Sequence, residues 1–197
     1  MKLYRYYIPP SSKLPAAAGI FASLLCCNTI YTLLSVPGYT QYWDYWCTLI
    51  SSAMLGIFCF VFGRRRPELL LFPLGIFAVV ACITPNFTHW MQVGLFFLFL
   101  LPTLIRLPKW ISPLIHIAAL CLYIAGIWNI FSPMFERIIT LADSGRATAS
   151  FVVPFIIRTT GHEPFCLTAM LLLVFSIRPH ILPFWMDEQD HYDRIWE

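Results

Sequence analysis

Six apolar runs, with most Lys and Arg collected on alternate connections between them, constrain this 197-residue chain more than any motif in it. They are Leu14 to Val36, Trp46 to Phe62, Leu69 to Phe87, Trp90 to Ile105, Ile111 to Phe131 and Pro164 to Ile177. A helix rises 1.5 Å per residue and membrane hydrocarbon is about 30 Å thick, so about 20 apolar residues cross it. The second, fourth and sixth runs are short, and flanking aromatics, snorkelling arginine or local thinning make up the difference. The expectation is an all-α integral membrane protein, a bundle of about six transmembrane helices. Four spans with one apolar pair dipping as a re-entrant hairpin is the rival. Composition agrees: with 59% hydrophobic and 12% charged residues, the chain cannot cover its own apolar side chains, so lipid must.

Basic residues test the spans independently, because Lys and Arg collect on the cytoplasmic side. Lys2, Arg5 and Lys13 precede the first run, Arg64, Arg65 and Arg66 follow the second, Arg106 and Lys109 follow the fourth, and Arg178 follows the sixth. The intervening loops PGYTQYWDYW and TPNFTHW carry neither. The pattern predicts both termini in the cytoplasm, in a bacterial inner (plasma) membrane, with Arg64, Arg65 and Arg66 on lipid headgroups. Tyr39, Tyr42, Trp43, Tyr45, Trp46, Trp90, Trp110, Trp128 and Trp185 fall near span ends, where amphipathic rings anchor in the headgroup layer. The first run lacks a convincing cleavage site and reads as a retained helix.

The organisation expected is a cytoplasmic segment 1–13, five spans over 14–131, an extracytoplasmic loop 132–163, a sixth span 164–177 and a cytoplasmic tail 178–197. Within the loop, Ser132 is placed as an N-cap, Pro133 at the first helical position and Gly145 as a stop, which predicts a short amphipathic helix with an apolar stripe of Phe135, Ile138, Ile139 and Ala142. ATASFVVPFII is too short to span and reads as re-entrant or interfacial, bent at Pro154.

Little in the spans is reactive. The seven cysteines show no CxxC or Cys/His ligand spacing and read as small apolar packing residues, so neither a metal nor a cofactor is expected. His116 reads as a neutral imidazole bonded to a neighbouring helix. Asn28 and Thr32, with Ala18 and Ala22, share one face of the first span, where small residues admit a partner helix and polar ones bond to it. That face is the expected contact of a homo-oligomer. Arg146, Arg158, His162 and Glu163 are expected on the extracytoplasmic surface, with no GxSxG or HExxH pattern to make them catalytic. The tail places Trp185, Tyr192 and Trp196 among Asp187, Glu188, Asp190 and Asp193, which suits docking to a cytosolic protein with a basic surface. The net charge of +3 and the membrane-edge placement of its cations give no support for nucleic-acid binding.

The functional expectation is a noncatalytic, oligomeric membrane protein that senses or blocks an envelope event, of the immunity, exclusion or phage-defence kind, and docks a cytosolic partner. That expectation rests on size and topology alone. The alternatives are a small transporter or channel, through a polar path at Asn28, Thr32 and His116, and a membrane enzyme acting on a lipid-linked substrate through the extracytoplasmic loop.

Overall fold

The computed structural model describes residues 13–35, 38–63, 66–83, 87–104, 111–143, 145 and 162–177. Among them every regular element is helical: α1 (Leu14–Ser35), α2 (Trp43–Val61), α3 (Leu71–Ile83), α4 (Phe87–Leu104), α5 (Ile111–Asp143) and α6 (Glu163–Ser176), with 3₁₀ turns at Tyr39–Gln41 and Pro67–Leu70. Three segments, Leu14–Ser35, Trp43–Val61 and Pro113–Asp143, are long and apolar enough to cross a membrane. Ile20, Leu24, Ile57, Phe60, Val79, Phe97, Ile117 and Ile124 all point outward and are exposed. Water does not tolerate apolar surface on that scale, whereas lipid tails do. The chain is a membrane protein.

Successive helices from α1 to α5 pack in chain order, and α6 packs against α1, α4 and α5. α6 is apolar around its whole circumference, the pattern of a helix enclosed by others rather than laid on a surface. Cys166, Leu167, Ala169, Met170, Leu173 and Val174 are all buried, and they join the core cluster with Leu25, Leu55, Leu74, Leu95 and Phe99.

α1 meets its neighbours through Pro15, Ala18, Ala22, Leu25, Thr29 and Thr32, which alternate by three and four residues as in a coiled-coil seam. Lipid offers no hydrophobic drive between helices, so close backbone approach supplies the attraction. A Cβ built on Gly56 of α2 comes within 3.2 Å of Ser23 Oγ and 3.7 Å of the Gly19 carbonyl of α1. Of the face expected as an oligomer contact, Ala18, Ala22 and Thr32 are buried within the single chain, where α1 packs on α2 and α6, and Asn28 is partly buried.

α5 also differs from expectation, because it continues through Ser132 and Pro133 to Asp143 without a break. Pro133 has no amide to bond the Asn129 carbonyl, and membrane helices tolerate this where neighbours hold the weakened turn. One turn before Pro133, Asn129 Nδ2 donates to Thr88 Oγ1 of α4 at 2.9 Å and ties the two helices together. Ser132 is thus an interior helical residue and not an N-cap. The 33-residue helix is about 50 Å long, well beyond the hydrocarbon thickness. It ends where Gly145 takes a left-handed φ of 71° and its N–H donates to the Ala142 carbonyl at 2.9 Å. The expected re-entrant segment, Arg64, Arg65, Arg146, Arg158 and the tail lie outside the described residues.

Gly126 marks the junction of α4, α5 and α6, where an added Cβ would stand 2.8 Å from Leu167 Cδ1 and 3.5 Å from Met91 Cβ. Gly126→Leu should wedge α5 away from both neighbours and cost about 1–3 kcal/mol, the usual range for overpacking. Gly75→Ala, on α3 with nothing within 4 Å, should be neutral or slightly stabilising. Thermal unfolding of the two variants in mild detergent checks the contrast.

Candidate functional site: a polar pocket at one end of the bundle

Three helix N-termini meet at the end of the bundle away from Arg66. α2 brings Asp44, Tyr45 and Thr48 in its first two turns, α4 brings His89, and α6 brings Glu163 with His162 just before it. With Val80 of α3 they line a cavity of about 210 Å³. A narrower recess of about 60 Å³ shares its wall and is bounded further by Leu25, Phe77, Gln92 and Cys166. The site is recessed: Thr29, which touches His162, lies six residues before the end of α1, about 9 Å along the helix.

The hydrogen bonds fix the state of His162. Thr29 Oγ1 donates its one proton to the Leu25 carbonyl at 2.8 Å, so it can only accept from His162 Nδ1 at 3.2 Å. The neutral ring therefore carries its proton on Nδ1 and offers Nε2 as an acceptor. Nε2 is buried and has no hydrogen-bond partner; among the described residues the other buried atom in this condition is Asn28 Nδ2. Burial lowers the His162 pKa from its ordinary 6.5, and the charge of Asp44 opposes part of that shift. Tyr45 presents its ring edge-on to the imidazole at 5.3 Å, and Tyr39 stacks on Tyr45 at 4.9 Å. Trp46 Nε1 donates to the Thr40 carbonyl at 3.0 Å and ties this aromatic corner to α2.

Each carboxylate sits in the first turn of its helix, where the positive end of the helix dipole favours it. Glu163 Oε1 also approaches His89 Nε2 at 3.7 Å, longer than a hydrogen bond. Among the described residues no three His, Cys, Asp or Glu side chains converge as metal ligands.

Of the four residues expected on the extracytoplasmic surface, Arg146 and Arg158 lie outside the described residues, and His162 and Glu163 both line the pocket. Glu163 faces the pocket and His162 is drawn into the bundle, because the sixth helix starts in the interior and its preceding residue must follow. Asp44 and His89 were missed by sequence reasoning, having been taken as parts of cation-free loops, and Tyr45 as a headgroup anchor. One signal was available: each loop on that side places an acid or an imidazole beside a span end. His116 lies elsewhere, stacked on Phe175 of α6 at 4.7 Å. The chain matches no protein-family profile, and comparison with curated proteins and with solved structures likewise finds no match.

Two outcomes follow from the His162 geometry. Thr29→Val should leave the buried Nδ1–H unpaired and cost about 1–3 kcal/mol, while Thr29→Ser should retain most of the stability. Since the folded ring resists protonation, acid should favour the unfolded chain: the contribution is intact above 6.5 and falls as pH drops below it. The groups facing the ring, Asp44, Tyr45, His89 and Glu163, are unchanged in His162→Phe. Melting at about pH 7.5 and about pH 5.5 should therefore show a smaller acid loss in that variant than in the parent.

Proposed function

We propose that this chain is a six-span membrane protein with both termini cytoplasmic, and that it acts as a noncatalytic receptor. On this reading the pocket opens to the extracytoplasmic side and its occupancy is passed to a cytosolic partner through the tail. One observation carries the reading: ionisable side chains from the starts of α2, α4 and α6 line one open pocket at the end remote from Arg66. Ionisable groups are costly near hydrocarbon and mark function by default. Two further features support it. α6 holds His162 and Glu163 at one end and leads into residues 178–197 at the other, and those residues combine Trp185 and Trp196 with an acidic cluster. The segments 38–42 and 84–86, which precede α2 and α4 in the sequence, carry no Lys or Arg. A homo-oligomer remains part of the proposal, through a face other than the α1 seam.

The bare Nε2 of His162 favours a second reading, general-base chemistry on a lipid-linked substrate. The two readings separate by experiment. A cysteine placed at Thr40 in a cysteine-free background should react with an impermeant maleimide in intact cells; reaction only after lysis defeats the topology. Deleting Met186 to Glu197 should leave membrane insertion intact and abolish both partner capture and phenotype. An enzyme should keep its activity without the tail, and should lose it in His162→Gln.

A further inference from the structure

We propose, resting on the homo-oligomer part of the reading above, that two copies of this chain pair side by side and parallel through the outward face of α5, from Leu114 to Ala142. That face repeats every seven residues. Leu114, Cys121, Trp128, Phe135 and Ala142 take one position of the repeat, and Ile117, Ile124, Phe131 and Ile138 take another, three residues later. They form one continuous apolar row of the coiled-coil kind, and all nine are exposed or half-buried. The opposite face of α5 packs on α4 and α6: His116 stacks on Phe175, Tyr123 bonds Thr168, and Asn129 bonds Thr88.

Within hydrocarbon an apolar row needs no cover but lipid. This row continues beyond it. Trp90 and Trp128 are both exposed, and the bond from Asn129 to Thr88 holds them at one level, where indole rings mark the edge of the hydrocarbon. From there α5 runs on through Asn129 to Asp143, about 22 Å past the start of α4. Along this extension the face that packed on α4 and α6 turns polar, with Glu136, Arg137, Thr140 and Asp143 all exposed. The row stays apolar, and Phe135 and the adjacent Ile139 are 57% and 60% exposed. Apolar surface held outside lipid, opposite a face that has become polar, marks a protein contact. A partner that follows the row through lipid and past it must be a helix as long as α5. Among the described residues α5 alone qualifies, at 33 residues against 22 for α1. Area agrees: Leu114, Ile117, Ile124, Trp128, Phe135 and Ile139 are each more than half exposed, about 600 Å² together, most of the roughly 800 Å² per partner of a standard interface. Two copies inserted alike in one membrane hold their α5 helices parallel, so a two-fold axis along the membrane normal sets each residue of the row against itself.

The test uses the full-length protein in membranes and in mild detergent. In a cysteine-free background, Ala142→Cys on the row should form a disulfide-linked dimer with copper phenanthroline, and Thr140→Cys on the polar face should not, since bridging needs Cα atoms within about 7 Å. With the native cysteines kept, Ile138→Glu should weaken the dimer about tenfold or more, read as dissociation on dilution, and Thr140→Glu should leave it unchanged. A parent that is monomeric at every concentration overturns the pairing and the homo-oligomer together. A dimer that survives Ile138→Glu, or that links equally well through Thr140→Cys, overturns the α5 interface alone. So does a monomer that melts lower as Ile138→Glu, which would assign the row to residues 146–161 of the same chain. None of these variants touches the pocket or the tail, so the receptor reading is judged separately, by the tail deletion.

Discussion

The enclosure of α6 is the constraint on which the rest of the structure depends. A 14-residue helix that is apolar on every side gains most when neighbours surround it, and α1, α4 and α5 do so. Because the helix begins inside the bundle, the residues at its start begin there too. His162 and Glu163 are thereby held among α1, α2 and α4, although the sequence around them looks like a surface loop. The pocket is a consequence of where a short helix had to go.

That consequence explains which parts were legible. Apolar runs and the alternation of basic loops identify the helices, because length and hydropathy are local properties of the chain. The same signals place α2 to begin at Trp46, whereas it begins at Trp43. Three residues matter here, since they bring Asp44 and Tyr45 onto the helix and turn both toward His162. Burial of the Ala18, Ala22 and Thr32 face was not readable either. A small-residue seam has the same appearance whether the helix that fills it belongs to the same chain or to another copy. Pro133 misleads for a related reason: proline ends helices in water, while a neighbour such as Thr88 can hold a membrane helix together across it.

The electrostatics of the pocket follow from three helices, α2, α4 and α6, that start at the same end of the bundle and so run in the same direction. Helix N-termini lower the cost of Asp44 and Glu163, and among the described residues no lysine or arginine lines the pocket. The dipoles do not account for the imidazole. A tautomer set by Thr29 leaves Nε2 facing inward as an acceptor in a region where unsatisfied polar atoms are expensive. Native chains keep such atoms where water or a ligand satisfies them.

On the receptor reading, a signal must cross the bilayer through a rigid element with contacts at both ends. α6 meets that requirement. Its first turn faces the pocket through Glu163, and near its far end Phe175 stacks on His116 of α5 at 4.7 Å. Between them Leu167 fits the notch at Gly126, where even one added carbon would stand 2.8 Å from it. A side chain seated in a notch resists gradual sliding and favours discrete positions, because packed interfaces are bistable rather than continuously deformable. A ligand that draws Glu163 and His162 together therefore acts on the one helix whose position is set by α1, α4 and α5 at once, and whose C-terminal end leads directly into the tail.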